Sequence, residues 1–238
     1  MRTVLITGGS RGIGASMVRL FSARGYKVAF TYKNSEESAR ALSAETGALA
    51  IRADSASEIE IVNAVEETAK NIGNPEILIN NAAVSSFSLI TDVSLEAWRD
   101  MFSVNIDAAF LYSKHTLPSM IRNGFGRIIN ITSMWGIVGA SCEVCYSSTK
   151  AALIGFTKAL AKEVGPSGIT VNAIAPGLID TEMNASLSEA DKREIFEETP
   201  LMRMGKAEEI AETAYFLASD AAAFITGDVI NVSGGFVV

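Results

Sequence analysis

Tyr146 and Lys150 stand four residues apart. On a helix that spacing puts two side chains on one face, with Cβ atoms about 5–6 Å apart. A free tyrosine titrates near ~10, too high for easy proton exchange at neutral pH. A neighbouring ammonium favours the phenolate and lowers that value by about 1–3 pH units. The expectation is a Tyr146 held below its usual range by Lys150, able to give a proton to a carbonyl oxygen while hydride reaches the carbon. Ser133 lies 13 residues earlier, at the end of the apolar run Arg127–Ile131. Its hydroxyl can hold the substrate oxygen beside Tyr146. Asn105 sits in a mostly apolar helical pattern, where a buried amide needs a partner. Its carbonyl can carry a water linked to Lys150.

Those four residues need a frame that brings them to one edge. Short apolar runs alternate with longer helical patterns along the chain. The strand candidates are Thr3–Thr7, Lys27–Tyr32, Ala48–Arg52, Glu76–Asn80, Arg127–Ile131, Ile169–Ala175 and Asp228–Val232. They are apolar throughout rather than alternating, as strands covered on both faces are. Helices are expected at Ile13–Ala23, Glu36–Glu45, Glu58–Asn71, Tyr146–Val164 and Ala207–Ala218, with one long helix from Leu95 to Ile121. This alternation implies an α/β fold: a Rossmann-type doubly wound parallel sheet of about seven strands with helices on both faces. The whole chain, 1–238, reads as one dinucleotide-binding and catalytic domain. Ligands then bind at the carboxyl ends of the strands.

The first strand runs straight into Thr7-Gly8-Gly9-Ser10-Arg11-Gly12-Ile13-Gly14. Glycines there let the backbone turn sharply toward a pyrophosphate, whose charge sits at a helix N-terminus. The same residues fit the G-x-S-x-G elbow of serine hydrolases. That reading fails on position: the turn follows the first strand, and the one histidine, His115, lies within a helical pattern without a supporting acid motif. A non-catalytic dinucleotide sensor is the other alternative, and the intact Asn105, Ser133, Tyr146 and Lys150 argue against it.

An NAD site usually places an acid at the end of the second strand. Here that end carries Lys33, and the glycine turn carries Arg11. Two cations near one ribose favour NADP(H) over NAD(H). Asp54 follows the third strand and is expected either to accept from the adenine amino group or to cap the next helix, with Ser55 beside it. Asn80-Asn81-Ala82-Ala83 ends the fourth strand, along the cofactor's path.

The net charge of −7 argues against nucleic acid as the main partner and leaves room for a local basic pocket holding one phosphate. No apolar stretch is long enough to span a membrane, and the run Val4-Leu5-Ile6 is too short for a signal core, so a cytoplasmic protein is expected. Cys142 and Cys145 are a lone pair without further metal ligands, so no metal site is expected, and two reduced thiols are the plain reading. Residues 178–205 mix charges with Met183, Leu187, Phe196 and Met202 and read as a lid over the site; a surface helical hairpin is the alternative.

Taken together, Thr7-Gly8…Gly14, Asn80-Asn81-Ala82, Asn105, Ser133, Tyr146/Lys150 and Pro176-Gly177 resemble the single-domain branch of the short-chain dehydrogenase/reductase family, across essentially the whole chain. Gly8–Gly14, Pro176–Met183 and Ala207–Gly235 resemble the 3-oxoacyl-[acyl-carrier-protein] reductases most. The resemblance implies an NADPH-dependent reduction of a carrier-bound 3-oxoacyl group, a homotetramer, and contacts from Ile179 and Thr181 to the nicotinamide carboxamide. Two departures stand out. The family's Asn-Asn-Ala-Gly ends in Ala83 here, and the basic positions offered to a carrier protein fall near Gly124 and Ser167, with Arg122 or Arg127 as nearby substitutes. The stretch from Ser133-Met134-Trp135-Gly136 to Cys142-Glu143-Val144 also resembles a subgroup proposed to reduce a ketone on modified elongation factor P.

Overall fold

Seven strands, every pair parallel, form one sheet in the computed structural model, which describes residues 1–184 and 188–237. In chain order the strands are β1 (Thr3–Ile6), β2 (Lys27–Tyr32), β3 (Leu49–Arg52), β4 (Ile77–Asn80), β5 (Gly126–Ile131), β6 (Ile169–Pro176) and β7 (Val229–Val232). Their spatial order is β3-β2-β1-β4-β5-β6-β7. All seven expected strands are present, with ends shifted by a residue or so.

The helices are α1 (Gly12–Ala23), α2 (Glu36–Thr46), α3 (Glu58–Ile72), α4 (Leu95–Phe102), α5 (Ala108–Asn123), α6 (Trp135–Val138), α7 (Val144–Val164), α8 (Glu189–Glu198) and α9 (Ala207–Ala218). They cover both faces of the sheet, which explains the unbroken apolar strands. In β1, Val4 and Ile6 face one core with Phe21 of α1 and Leu217 of α9. Leu5 faces the other, with Ile61 of α3 and Tyr112 of α5. Burying each such side chain contributes about 1.5–3 kcal/mol.

One expectation is corrected. The single helix from Leu95 to Ile121 is two helices, α4 and α5, joined by a π-helical turn at Ser103–Asp107. The wider turn inserts a residue into the helical repeat, so the faces before and after it are out of phase. Asn105 lies in this turn and is buried.

The order reverses at β1, which lies between β2 and β4. That switch point is where open parallel sheets leave a crevice for ligands. After β6 the chain makes an excursion from Leu178 and returns at Gly205. Its two ends are clasped: Gly205 N donates to Leu178 O, and Asp180 N to Gly205 O, each at 2.9 Å. The excursion carries α8, whose start is fixed by a capping box between Ser188 and Asp191. Leu187, part of the expected lid, falls outside the described residues.

Candidate active site

A cavity of about 360 Å³ opens at the carboxyl ends of β1, β4, β5 and β6. Its floor is the glycine turn. Gly8 adopts a left-handed φ of +64°, and a Cβ at Gly14 would lie 2.2 Å from the Gly8 carbonyl oxygen, so no other residue fits there. Asn81 pins this turn: its Nδ2 donates to the carbonyls of Thr7 (2.9 Å) and Gly8 (3.1 Å). Thr7 Oγ1 in return accepts from the backbone N–H groups of Asn81 and Ala82, both at 2.9 Å. The turn is thus a rigid cradle at the start of α1, whose N-terminus favours an anion. This geometry fits a dinucleotide pyrophosphate.

Lys33, at the β2 end, and Asp54, just past the β3 end, form an ion pair across 2.7 Å. Burial works to raise the Asp54 carboxyl, but the Lys33 ammonium and the Ala56 amide together hold it below the usual aspartate range. Asp54 is not the cap of α3. Its Oδ1 accepts from Ala56 N in a local turn, while Ser57 caps the helix.

The chemistry-bearing end lies on α7 and after β5. Ser133 Oγ accepts from the Trp135 N–H at 3.1 Å, which leaves its own proton free to point elsewhere. It lines the cavity together with Tyr146 and works to lower the phenol's pKa. A Cβ at Gly136 would lie 2.8 Å from the Lys150 carbonyl carbon, so α6 packs directly on the α7 backbone. Lys150 is buried, and its Nζ donates to Ile131 O at 2.8 Å.

The expected effect of Lys150 on Tyr146 is reversed in the free protein. Burial, and then the nearby Glu143, push the phenol up to about 12; Ser133 only partly opposes them. Lys150 itself is brought down to about 8 by burial. Its Nζ lies 5.6 Å from the phenol ring centroid and is turned to a backbone carbonyl. Tyr146 therefore holds its proton firmly.

Asn105 is buried behind the wall rather than on it. Its Oδ1 accepts from Val84 N (2.8 Å), and its Nδ2 donates to Val84 O (2.9 Å) and Thr149 Oγ1 (3.0 Å). The amide clamps the loop after β4 to α7. Of the expected cofactor contacts, all but Gly9 line the cavity. Gly9 instead packs on Phe30, where a Cβ would sit 2.4 Å from the phenylalanine Cβ. Asn80 also turns away from the cavity, donating to Asn130 Oδ1 at 2.8 Å inside the core.

Three further expectations meet the structure here. His115 sits on α5, away from the cavity lining, so Ser10 has no imidazole partner there. Arg127 is buried, with its guanidinium 4.3 Å from the Phe125 ring centroid, and cannot meet a carrier protein; Arg122 is exposed. Glu143, noted in the sequence only as part of a motif, lines the cavity beside Tyr146.

A glycine cradle at the sheet switch point facing a serine, tyrosine and lysine on one cavity defines a nicotinamide-type oxidoreductase site. The comparisons agree. Residues 8–237 match the family described as Enoyl-(Acyl carrier protein) reductase. The chain is 41% identical to the 3-oxoacyl-[acyl-carrier-protein] reductase of Aquifex aeolicus, covering 97% of this chain and 95% of that protein. It is 37% identical to an uncharacterized oxidoreductase, YmfI, of Bacillus subtilis, over 99% and 98%. Among solved structures, a metagenomic blue fluorescent protein in complex with NADPH superposes with a TM-score of 0.95 at 36% identity, covering 100% of this chain and 98% of that one. A doubly substituted short-chain dehydrogenase/reductase of Serratia marcescens superposes with a TM-score of 0.94 at 36% identity, over 99% and 97%. The chain belongs to the short-chain dehydrogenase/reductase family and is an oxidoreductase.

Proposed function

We propose that this protein is an NADPH-dependent carbonyl reductase, with Tyr146 as general acid and a 3-oxoacyl thioester as its substrate. The observation that carries the reading is that a proton-bearing Tyr146 and Ser133 share one cavity with the glycine cradle. When bound, the reduced nicotinamide supplies hydride. Ser133, its lone pair occupied by Trp135 N–H, donates to the ketone oxygen and orients it. Tyr146 delivers the proton as negative charge grows on that oxygen. Its elevated pKa keeps it protonated at neutral pH, the form that reduction needs. Lys150 has donors beyond the one given to Ile131, and these would be available to the cofactor and to the phenolate left after transfer. Asn105 positions Val84 and Thr149 around this group.

The preference for NADPH rests on Arg11 and Lys33, which both line the cavity. The Asp54 pairing fixes the Lys33 ammonium without exhausting its three donors. Ile179 and Thr181, which line the cavity, would hold the nicotinamide end of the cofactor, and the described part of the clasped excursion would cover it. The thioester is supported by the relatives in Aquifex aeolicus and, at 40% identity, Escherichia coli, both named 3-oxoacyl-[acyl-carrier-protein] reductase. A second reading, a ketone on a modified elongation factor, is favoured by the resemblance of the stretch Ser133–Val144 to that subgroup. Among the described residues no helix is long and apolar enough to cross a membrane. A cytoplasmic homotetramer fits the exposed apolar side chains Leu95 and Phe110 on α4 and α5.

Titration with NADPH and NADH, followed by absorbance with an acetoacetyl thioester, tests the reading. The expected outcome is tighter NADPH binding, by about tenfold or more for a phosphate met by two cations, and turnover. Binding without turnover removes the thioester and keeps the reductase. No binding of either nucleotide overturns the reading.

A further inference from the structure

Lys33 and Asp54 meet across 2.7 Å at the rim of the cavity that Arg11 also lines. The Lys33 side chain is 57% exposed. An exposed ion pair adds little to stability, because water screens it and two side chains lose freedom. Holding the fold together is therefore a poor reason for this pair. Its cost to anion binding is plain: a carboxylate beside a phosphate site repels the phosphate. Such a charge is out of place unless it acts on the cation.

Asp54 is itself firmly anchored. Its Oδ1 accepts from the Ala56 N–H at 3.0 Å, its own N–H donates to Glu60 Oε2 at 2.8 Å, and its carbonyl accepts from the Ser57 N–H at 3.0 Å. Oδ2 is thus a fixed point that receives the Lys33 ammonium. The Lys33 backbone is held from the same side, where Arg52 Nε donates to its carbonyl at 3.4 Å. A lysine is a compact charge on a flexible four-carbon stem, and a free one spreads that charge over many rotamers. Here both ends of the stem are tied, to Arg52 and to Asp54. One ammonium N–H is used, and the others remain for an anion.

We propose that Asp54 determines cofactor specificity through Lys33: its carboxylate holds the ammonium for the ribose 2′-phosphate of NADPH, and so strengthens a phosphate site that its own charge opposes. The inference deepens the NADPH reading above and rests on it. It gives Asp54 a positioning role in place of the contact to the adenine amino group expected from the sequence. An ammonium already in place meets the phosphate without a further loss of rotamer freedom, and preorganisation of that kind raises affinity. The uncharged 2′-hydroxyl of NADH gains far less from it.

Two adenosine ligands isolate the effect without catalysis. Adenosine 2′,5′-bisphosphate carries the 2′-phosphate, and 5′-AMP lacks it. Calorimetry gives both affinities for the wild type, Asp54→Asn, Lys33→Met and the double variant. Asp54→Asn keeps an oxygen for the Ala56 N–H and gives up the charge. The wild type should favour the bisphosphate by about tenfold or more. Asp54→Asn should cut that preference about fivefold, with 5′-AMP affinity within about twofold of the wild type. Denaturant midpoints should be unchanged, as for an exposed pair. With Lys33→Met in place, adding Asp54→Asn should cut the preference no further, since the cycle isolates the pair. A preference that rises in Asp54→Asn means that the charge acts alone, and overturns the proposal. So does an equal loss for both ligands, the mark of an adenine contact, or a drop that persists without Lys33. A wild-type ratio near one overturns the NADPH reading and the proposal together.

Discussion

The two ends of the cavity are built on opposite principles. At the glycine turn the backbone is held in place: Asn81 and Thr7 bond the turn and the loop beside it, and Lys33 pairs with Asp54 nearby. At the other end, Tyr146 is held far above its normal range, Lys150 well below, and the Glu143 Oε2 is buried with no hydrogen-bond partner among the described residues. The first end is shaped before the ligand arrives. The second holds charges whose balance the ligand completes. A cradle for a constant group gains from rigidity. A reaction centre gains from groups whose protonation lies close to change.

The largest effect should come from breaking the second end alone. Tyr146→Phe should lower kcat/KM by about 10²–10⁴ or more, with NADPH affinity nearly unchanged. Steady-state kinetics beside a binding titration checks both halves, and full activity would remove Tyr146 from its role. Breaking the first end should do the reverse. Asn81→Ala leaves the Thr7 and Gly8 carbonyls without their donor, at about 1–3 kcal/mol. NADPH affinity should fall about tenfold, and saturating cofactor should restore most of kcat. Equal losses in both variants would mean that the two ends are not separable.

A smaller effect sharpens the contrast through pH. Lys150 titrates at about 8 when folded, against 10.5 in an unperturbed side chain. Between those values the unfolded chain binds more protons, so stability rises with pH across the window. The gain should be on the order of 2–3 kcal/mol by about pH 10, above which the raised Tyr146 begins to act in the opposite sense. Denaturant midpoints measured without cofactor would follow this; a flat profile would show that Lys150 keeps its charge cheaply.

Most of the frame was legible in the sequence because unbroken apolar strands and capped helices report burial on both faces. The tetrad and the turn were legible because their spacing is itself the geometry. What was not legible depends on contacts between elements. The π-helical turn at Asn105 has no residue signature. The Lys33–Asp54 pair joins the ends of neighbouring strands. The upward shift of Tyr146 comes from burial and from Glu143, where sequence spacing offered only Lys150. The helix α8 did carry a signal, the Ser188-x-x-Asp191 box, inside a stretch read for its irregularity.

The clasp between Leu178 and Gly205 has a consequence for how such a protein diversifies. Because both ends of the excursion already meet, what lies between them is a side branch on a finished chain path. Lengthening a closed loop is thermodynamically inexpensive, about 0.6 kcal/mol for each doubling. The helix α8 within the clasped excursion can be exchanged as a cassette, with Ile179, Thr181, the sheet and the glycine cradle left as they are.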